Sequence, residues 1–441
     1  MLLLVGDRGL PIGVSLAGVA VPPIAWIALA RGERKGRQCD PRLVVALIGV
    51  LLTAAVLIPP QGSKDLWSYS MYGRMISHHW SSPYTHVPND FPHDPFLHQV
   101  AAGWRNTPSV YGPVFVAIAA IGTALTGSSL LAARLFEQGL AAVAVAISLA
   151  VIWRRTRSTA ALALFGLNPV VVISVVNGGH NDALVGLGIL LATLLVTTRR
   201  LALAGTALGV AALIKVTALL AFPALAVWAA WRLGRHAAAR FSAAVGLVFG
   251  LGYVAAGPGA FAALSGNRRL MSRASPWQIP RSVLGIGTGH PMWGITGSSW
   301  VGALTTGALA SVCLVVAAVA WWRRRDAEPA PSVVLALTAF LVLGAYVLPW
   351  YVAWVLPVAC VSLDRSSRRL AMLLSTFLTA VYIVKAHALP HAVDTEWRWL
   401  GSYIGPVVMV LWCVAIAVPP GFWSRWSGRS RQPQLTPSVK P

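Results

Sequence analysis

Residues 159–198 read TAALALFGLNPVVVISVVNGGHNDALVGLGILLATLLVTT: an apolar run over 159–177, a polar turn, and a second apolar run over 183–198. Arg157 stands before the first run, and Arg199 and Arg200 follow the second. A helix needs about 20 apolar residues to cross a hydrocarbon core, and lysine and arginine collect in short cytoplasmic loops. The stretch therefore reads as a helical hairpin through a membrane. Both ends lie in the cytoplasm, and the turn Asn177-Gly178-Gly179-His180-Asn181-Asp182 lies outside. The glycines suit a tight turn, and Asn181 or Asp182 is expected to cap the helix that follows.

The pattern extends over the whole chain. Further apolar runs lie at about 11–30, 43–60, 130–152, 240–257, 300–322, 333–348, 349–363, 370–386 and 402–420. Residues 201–231 suffice for two short helices meeting at Lys215. Of the 441 residues, 56% are hydrophobic and 11% are charged, and mean hydropathy is +0.68; a soluble domain carries roughly a quarter charged residues. A soluble enzyme, a disordered chain and a cytosolic nucleic-acid binder are excluded. The fold class is an all-α polytopic membrane protein: one integral membrane domain over 1–423, then a disordered, basic cytoplasmic tail over 424–441. No basic segment precedes the first run, which is expected to remain as a helix. The four cysteines, Cys39, Cys313, Cys360 and Cys413, are too few for a disulfide framework and are expected as free thiols.

Charge assigns the sides. The net charge of +22 comes from 35 basic and 13 acidic residues, and 23 of the basic ones fall in one alternating set of loops. That set runs through Arg31–Arg42, Arg154–Arg157, Arg199 and Arg200, Arg232–Arg240, Arg323–Arg325, Arg365–Arg369 and the tail. It is cytoplasmic, so the protein is expected in the plasma membrane with 61–111, 178–182, the Lys215 junction, 258–299, the turn near Pro349 and 387–400 outside. The alternation requires that 112–127 does not span.

Chemistry concentrates on the outer side. Nine of ten histidines lie there, and the acids available are Asp65, Asp90, Asp94, Asp182, Asp394 and Glu396. A general base would come from these acids or a histidine. Asp65 follows the exit of the second run in Lys64-Asp65-Leu66-Trp67-Ser68-Tyr69. It reads as a base near a lipid headgroup, or as an N-cap or dipole partner of a short interfacial helix over 66–80, and the two roles are compatible. Trp67, Tyr69, Tyr72 and Trp80 are read as interface aromatics. Prolines in Ser82-Pro83-Tyr84, Asp94-Pro95-Phe96 and Thr107-Pro108 through Gly112-Pro113 predict a compact, shaped loop. An intramembrane lysine such as Lys215 is costly and usually functional. Arg268, Arg269 and Arg273 suit phosphate, which guanidinium binds bidentately. The histidines have no metal-ligand spacing, with no HExxH or CxxC, so no metal or other cofactor is expected, although a loosely held divalent cation stays open. Gly285-Ile286-Gly287-Thr288-Gly289 lacks the strand and GK[ST] ending of a phosphate-binding loop.

The segments KDLWSYSMYGRM, SSPYTHVPNDFPHDPF and WRNTPSVYGPVF, then LFGLNPVVVISVVNGGHNDALVGLG, ALIKVTALLAFP and LPWYVAWVLP, span roughly 43–360. Together they resemble actinobacterial membrane mannosyltransferases of the MptA/MptB type, in the GT-C superfamily. The resemblance implies a GT-C-type multi-helix transmembrane bundle with a large first external loop, about 61–111, that holds the active site. It implies transfer of mannose from a polyprenyl-phosphate donor to a lipid-linked mannan or glycolipid acceptor, in α-1,6 linkage, as in lipomannan assembly. Asp65 occupies the position of the family's catalytic base. Lys215, Arg268, Arg269 and Arg273 are donor-phosphate candidates, and Tyr69, Tyr84, Tyr111, His180, Asn181 and Asp182 are substrate-binding candidates. The partners would be the lipid donor, the lipid-linked acceptor and membrane lipids, with no nucleic acid. Two rivals share the membrane bulk. One is a lipid-linked-sugar transporter or flippase, in which polar groups sit at the midplane of two related halves. The other is a non-catalytic component of envelope or carotenoid-glycolipid synthesis, which would transfer no sugar.

Overall fold

The computed structural model describes residues 12–37, 39–263, 272, 275, 327–383 and 404–417. Within them every regular element is helical, as expected where lipid leaves no water to satisfy the backbone. α1 (Ile12–Arg34) and α2 (Pro41–Leu57) open the chain. Asp40 accepts from the Arg42 backbone N–H, and Pro41 takes the first helical position, where a missing N–H costs nothing. α3 (Asp65–Ser77) is followed by 3₁₀ turns at Pro88–Asp90, Leu97–Gln99 and Ala102–Trp104. α4 (Pro113–Thr126) leads to α5 (Leu130–Thr156), which is capped by the Ser129 hydroxyl.

The 159–198 hairpin is built unevenly. α6 (Thr159–Gly166) stops before Asn168-Pro169, and Val170–Asn177 continues as a π-helical segment at 51° to it. Pro169 has no N–H to extend the ladder, and π-helical turns recur at functional sites. α7 (Asp182–Thr197) forms the second arm. α8 (Leu201–Ile214) ends at Lys215, which is extended, and a 3₁₀ turn, Val216–Ala221, leads to α9 (Phe222–Arg232). The expected break at Lys215 is thus present. α10 (Arg235–Ala256), α11 (Pro258–Ala263) and α12 (Ala330–Leu343) come next. A 3₁₀ turn at Pro349–Tyr351 then precedes α13 (Val352–Val361), α14 (Arg365–Leu378), a π-helical turn at Thr379–Ile383 and α15 (Gly405–Ala417).

Among the described residues, α5 with 27 residues and α10 with 22 are each long and apolar enough to cross a membrane, and the bent 159–177 pair makes a third. α4 has 14 residues. At 1.5 Å per residue it reaches about 21 Å, the same length as Leu201–Ile214 and Ala330–Leu343, so length does not separate it from the segments expected to span. The core runs through α13, whose every residue is buried, packed between α7, α12, α14 and α6. Gly186 lets α7 approach the Ala353 carbonyl of α13 with no room for a side chain.

The bundle has two chemically distinct ends. At one, the Glu33 carboxylate at the foot of α1 accepts from Ser158 Oγ, Thr159 Oγ1 and Ala160 N, each at 2.8 Å, joining two of the arginine-rich loops. At the other, Asn177 Nδ2 donates to the carbonyls of Ala55, Ile58 and Pro59 (2.9–3.1 Å), while its Oδ1 accepts from Gln61 N at 2.7 Å. Gln138 Nε2 reaches the carbonyls of Ala55, Ile58 and Asn177. These contacts staple the exit of α2 to the 177–182 turn, bringing together two of the segments that charge assigns to the outer side.

Several local expectations are corrected. Asn181 sits in the N-cap position but makes no capping bond, because backbone bonds from Ala183 to His180 and from Leu184 and Val185 to Asn181 already close the first turn. Asp182 is the first helical residue and faces Lys215. α3 begins at Asp65 with Lys64 as its N-cap, so Asp65 is not the cap either. Tyr69 and Tyr72 are buried in protein rather than laid in an interface, because α3 presses on α4 where Gly73 meets the Ala119 backbone. Trp80 is exposed. Cys39 and Cys360 are free thiols. Cys313, the side chain of Cys413, the 300–322 run, the 387–400 loop and the 424–441 tail lie outside the described residues.

Candidate active site

α3 lies across the end of the bundle where the 61–111 loop begins. The loop above it is tied to itself: Ser109 N donates to Pro83 O, Asn89 N to Arg105 O, and Tyr72 Oη to Thr107 O. Four of the acids that the sequence assigns to the outer loops and turns are described, and three are occupied. Asp90 accepts from Val87 N at 2.9 Å. Asp94 is fully buried and accepts from Arg74 Nε at 2.8 and 3.0 Å, from His79 Nε2 at 2.7 Å and from Phe96 N at 2.9 Å. Burial would raise the Asp94 carboxyl; His79, the Phe96 amide and Arg74 outweigh it and hold it below its ordinary value. Asp182 accepts from Lys215 Nζ at 2.9 and 3.2 Å and from Trp354 Nε1 at 2.7 Å.

The fourth acid is Asp65. Its side chain is 21% exposed, and Oδ2 stands 3.5 Å from His180 Nε2. Its backbone N–H donates to Ser63 Oγ. Burial would raise this carboxyl; His180, Lys215 and Ser63 outweigh it and hold Asp65 below its ordinary value. The site thus presents a carboxylate held below its ordinary value with one face accessible.

Aromatic rings wall it. Tyr69 packs edge-on against Tyr111 at 4.8 Å and Phe115 at 4.9 Å, and the His180 ring stacks on Trp350 at 3.7 Å. Burial pushes the Tyr69 and Tyr111 phenols well up. Lys215 Nζ lies 4.4 Å above the Tyr351 ring and 5.4 Å from Trp354. Its charge is met by Asp182 and two π faces, which is how a buried cation is retained.

Of the sequence candidates, Asp65, Tyr69, Tyr111 and His180 come together. The Asp182–Lys215 pair lies close enough to act electrostatically on Tyr69 and Asp65 respectively. Asn181 is buried with both amide atoms unpartnered. Tyr84 is set apart: its hydroxyl donates to Tyr111 O at 3.0 Å, and its ring packs with Val116, Leu213 and Tyr253. Arg268, Arg269 and Arg273 lie outside the described residues. Among the described residues no three His, Cys, Asp or Glu side chains converge on a metal position. The sequence reading missed Trp350, Tyr351 and Trp354, and the staples Asn177 and Gln138. A glutamine within an apolar helix was the available signal for Gln138, and the aromatic run Trp350-Tyr351 through Trp354 was that for the others.

An all-α membrane bundle with a partly open carboxylate at an aromatic-walled site is a frame compatible with a membrane-embedded glycosyltransferase. Comparison with known proteins gives the family. Residues 7–232 match the model described as alpha-(1->6)-mannopyranosyltransferase, N-terminal domain, and residues 287–418 match the MptB C-terminal domain. The chain belongs to this family. It is 26% identical over 430 residues to alpha-(1->6)-mannopyranosyltransferase A of Mycobacterium tuberculosis, covering 91% of this chain and 80% of that protein. It is 31% identical over 232 residues to alpha-(1->6)-mannopyranosyltransferase A of Corynebacterium glutamicum, covering 50% of this chain and 46% of that one. Against alpha-(1->6)-mannopyranosyltransferase B of the same organism it is 27% identical over 265 residues, covering 55% and 43%. The chain thus spans less than half the length of the two corynebacterial relatives.

Proposed function

We propose that the protein transfers mannose from a polyprenyl-phosphate donor to a lipid-linked mannan or glycolipid acceptor, in α-1,6 linkage, on the outer face of the plasma membrane. Family membership and the relatives' names support the sugar and the linkage. The observation that carries the chemistry is Asp65: among the four described acids of the outer loops and turns, its carboxylate alone is partly open and neither capping a turn nor consumed by a lysine or arginine pair. In this reading Asp65 takes the proton of the acceptor hydroxyl as that oxygen attacks the anomeric carbon, opposite the departing phosphate. The product is inverted at that carbon. An inverting hydrolase also needs a general acid; phosphate leaves as an anion without one. Cations would stabilise the charge that develops on it. Lys215, 14% exposed beside Asp182, is our candidate, together with Arg268, Arg269 and Arg273 of the 258–299 segment. Tyr69 and Tyr111 would wall the sugar, and Asn181, with its unpartnered amide, would supply hydrogen bonds. The reading needs no metal or other cofactor.

The test is Asp65→Asn in full-length protein, assayed with radiolabelled polyprenyl-phosphomannose and a synthetic alkyl mannoside. Asn keeps the side chain's size and removes the proton acceptor. Transfer is expected to fall by about 10²-fold or more, the usual share of a general base, with normal membrane insertion. Full activity in this variant, or no sugar transfer by the native protein, would remove the reading.

A further inference from the structure

His180 is fully buried. Its Nδ1 lies 2.5 Å from the Ser174 carbonyl oxygen. A carbonyl only accepts, so Nδ1 carries the hydrogen, and Nε2 of the neutral ring presents a lone pair. That Nε2 is buried with no hydrogen-bond partner among the described residues, and the group across from it is Asp65 Oδ2 at 3.5 Å. A ring serving only as packing would be better as phenylalanine, since an unsatisfied buried polar atom costs about 1–3 kcal/mol.

The surroundings fix the ring. Trp350 stacks on it at 15°, Tyr69 meets it edge-on at 6.4 Å, and the π-helical segment aims the Ser174 carbonyl at Nδ1. Gly178 leaves no space for a side chain: a Cβ would stand 2.5 Å from both Ser174 O and His180 Nδ1. Gly179 takes the left-handed backbone (φ +64°) that turns His180 inward. The Asn177–Gln61 staple holds the strand of chain leading to Asp65 against the same turn. Both partners are therefore clamped at a set separation.

We propose that His180 is the second proton carrier of the transfer reaction, taking from Asp65 the proton that Asp65 takes from the acceptor. The proposal rests on the reading of Asp65 as base. In the step, the acceptor oxygen forms a bond to the anomeric carbon, and the carbon–oxygen bond to phosphate breaks with its electron pair leaving on the phosphate. The hydroxyl proton moves to Asp65 and on to His180 Nε2, which leaves Asp65 ionised and the imidazolium held by Ser174 O and Asp65. Proton release to solvent resets the pair. Nε2 is the acceptor atom that stands directly behind Asp65, placed to take the proton on. His180 touches Asp65 rather than substrate and is a positioning and relay residue.

The titratable and charged groups around the pair include Tyr69 and Tyr72 on α3, Tyr111 ahead of α4, Asp182 on α7, Lys215 after α8, and Tyr346 and Tyr351 ahead of α13. Asp182 and Lys215 neutralise each other, and phenols ordinarily titrate near pH 10 or above. The pH profile of kcat in variants of Asp65 and His180 is therefore the readout that a relay would move.

The experiment is the pH profile of kcat and KM for native protein, His180→Gln and Asp65→Asn, with radiolabelled polyprenyl-phosphomannose as donor. Glutamine can donate a hydrogen bond to Asp65 but cannot accept a proton. A relay predicts that His180→Gln loses about tenfold or more in kcat, within the range of acid–base groups, at little change in KM, and that its acid limb moves to lower pH. A native profile with kcat within about twofold of native, or a uniformly scaled profile with no shift of the limb, would overturn the relay. Should His180→Gln fail to insert, the native protein decides through the temperature dependence of its acid limb. Imidazole ionisation absorbs heat, whereas carboxylate ionisation is nearly athermal; a limb that does not move with temperature overturns the proposal. Asp65→Asn separates the layers: if it is active, the base reading fails, whereas if it is dead beside an unaltered His180→Gln, the relay alone fails.

Discussion

Two histidine–aspartate contacts lie at the same end of the molecule, and they are opposites. His79 and Asp94 meet at 2.7 Å, and Asp94 also takes Arg74 and the Phe96 amide, while Arg74 Nη1 donates to Gly127 O and the guanidinium lies over the Phe96 ring. Every charge there has a partner. His180 and Asp65 stand 3.5 Å apart, with Nε2 unpartnered and the carboxylate partly open. A satisfied network makes a fold unique; an unsatisfied one, held rigid by neighbours, is available to a substrate. The first fastens the 61–111 loop over α3, and the second is left for chemistry.

The contrast breaks first at the two aspartates. Asp65→Asn should remove most transfer, by about 10²-fold or more, while the unfolding midpoint of purified protein stays where it was. Asp94→Ala should do the reverse. It strands a buried guanidinium, which typically costs about 3–5 kcal/mol, and thermal unfolding should show the loss, with correctly folded molecules keeping their chemistry. A dead but stable Asp94→Ala would end the division into fastening and working pairs.

Acid should separate them as well. The Asp94 carboxyl is held below its ordinary 3.8, so its contribution to stability is complete above that value and is lost as pH falls through the lowered one. Unfolding midpoints measured from neutral pH down to about pH 3 should hold and then drop; a midpoint that falls already between neutral pH and about pH 5, well above the ordinary Asp range, would assign the loss elsewhere.

Smaller effects sharpen the picture. Asn177→Ala removes the bonds that staple the α2 exit to the 177–182 turn. It should cost about 1–3 kcal/mol for the polar groups left unmet and lower transfer as the two elements drift apart, read by melting and by rate together. Least is expected from His79→Phe. His79 is 28% exposed and stacks on Phe91, a contact that Phe keeps; one lost bond should cost about 1 kcal/mol, with the rate of transfer unchanged.

Much of this was legible in the sequence, because lipid leaves a chain few options. Apolar run length, basic loops and the break at Lys215 are one-dimensional signals, and among the described residues the helices fall largely within the apolar runs. The scarcity of outer-face acids pointed to Asp65 for the same reason. What the sequence could not contain is pairing. Asp182 and Lys215 are 33 residues apart, Asp65 and His180 are 115 apart, and Asn177 reaches back across 116 to Gln61. Asp65, Asp94 and Asp182 carry the same carboxyl and looked alike as candidates. Only the folded chain set two of them against cations and left the third open, because a carboxylate's role depends on which partners reach its oxygens, and those partners arrive from helices distant along the chain.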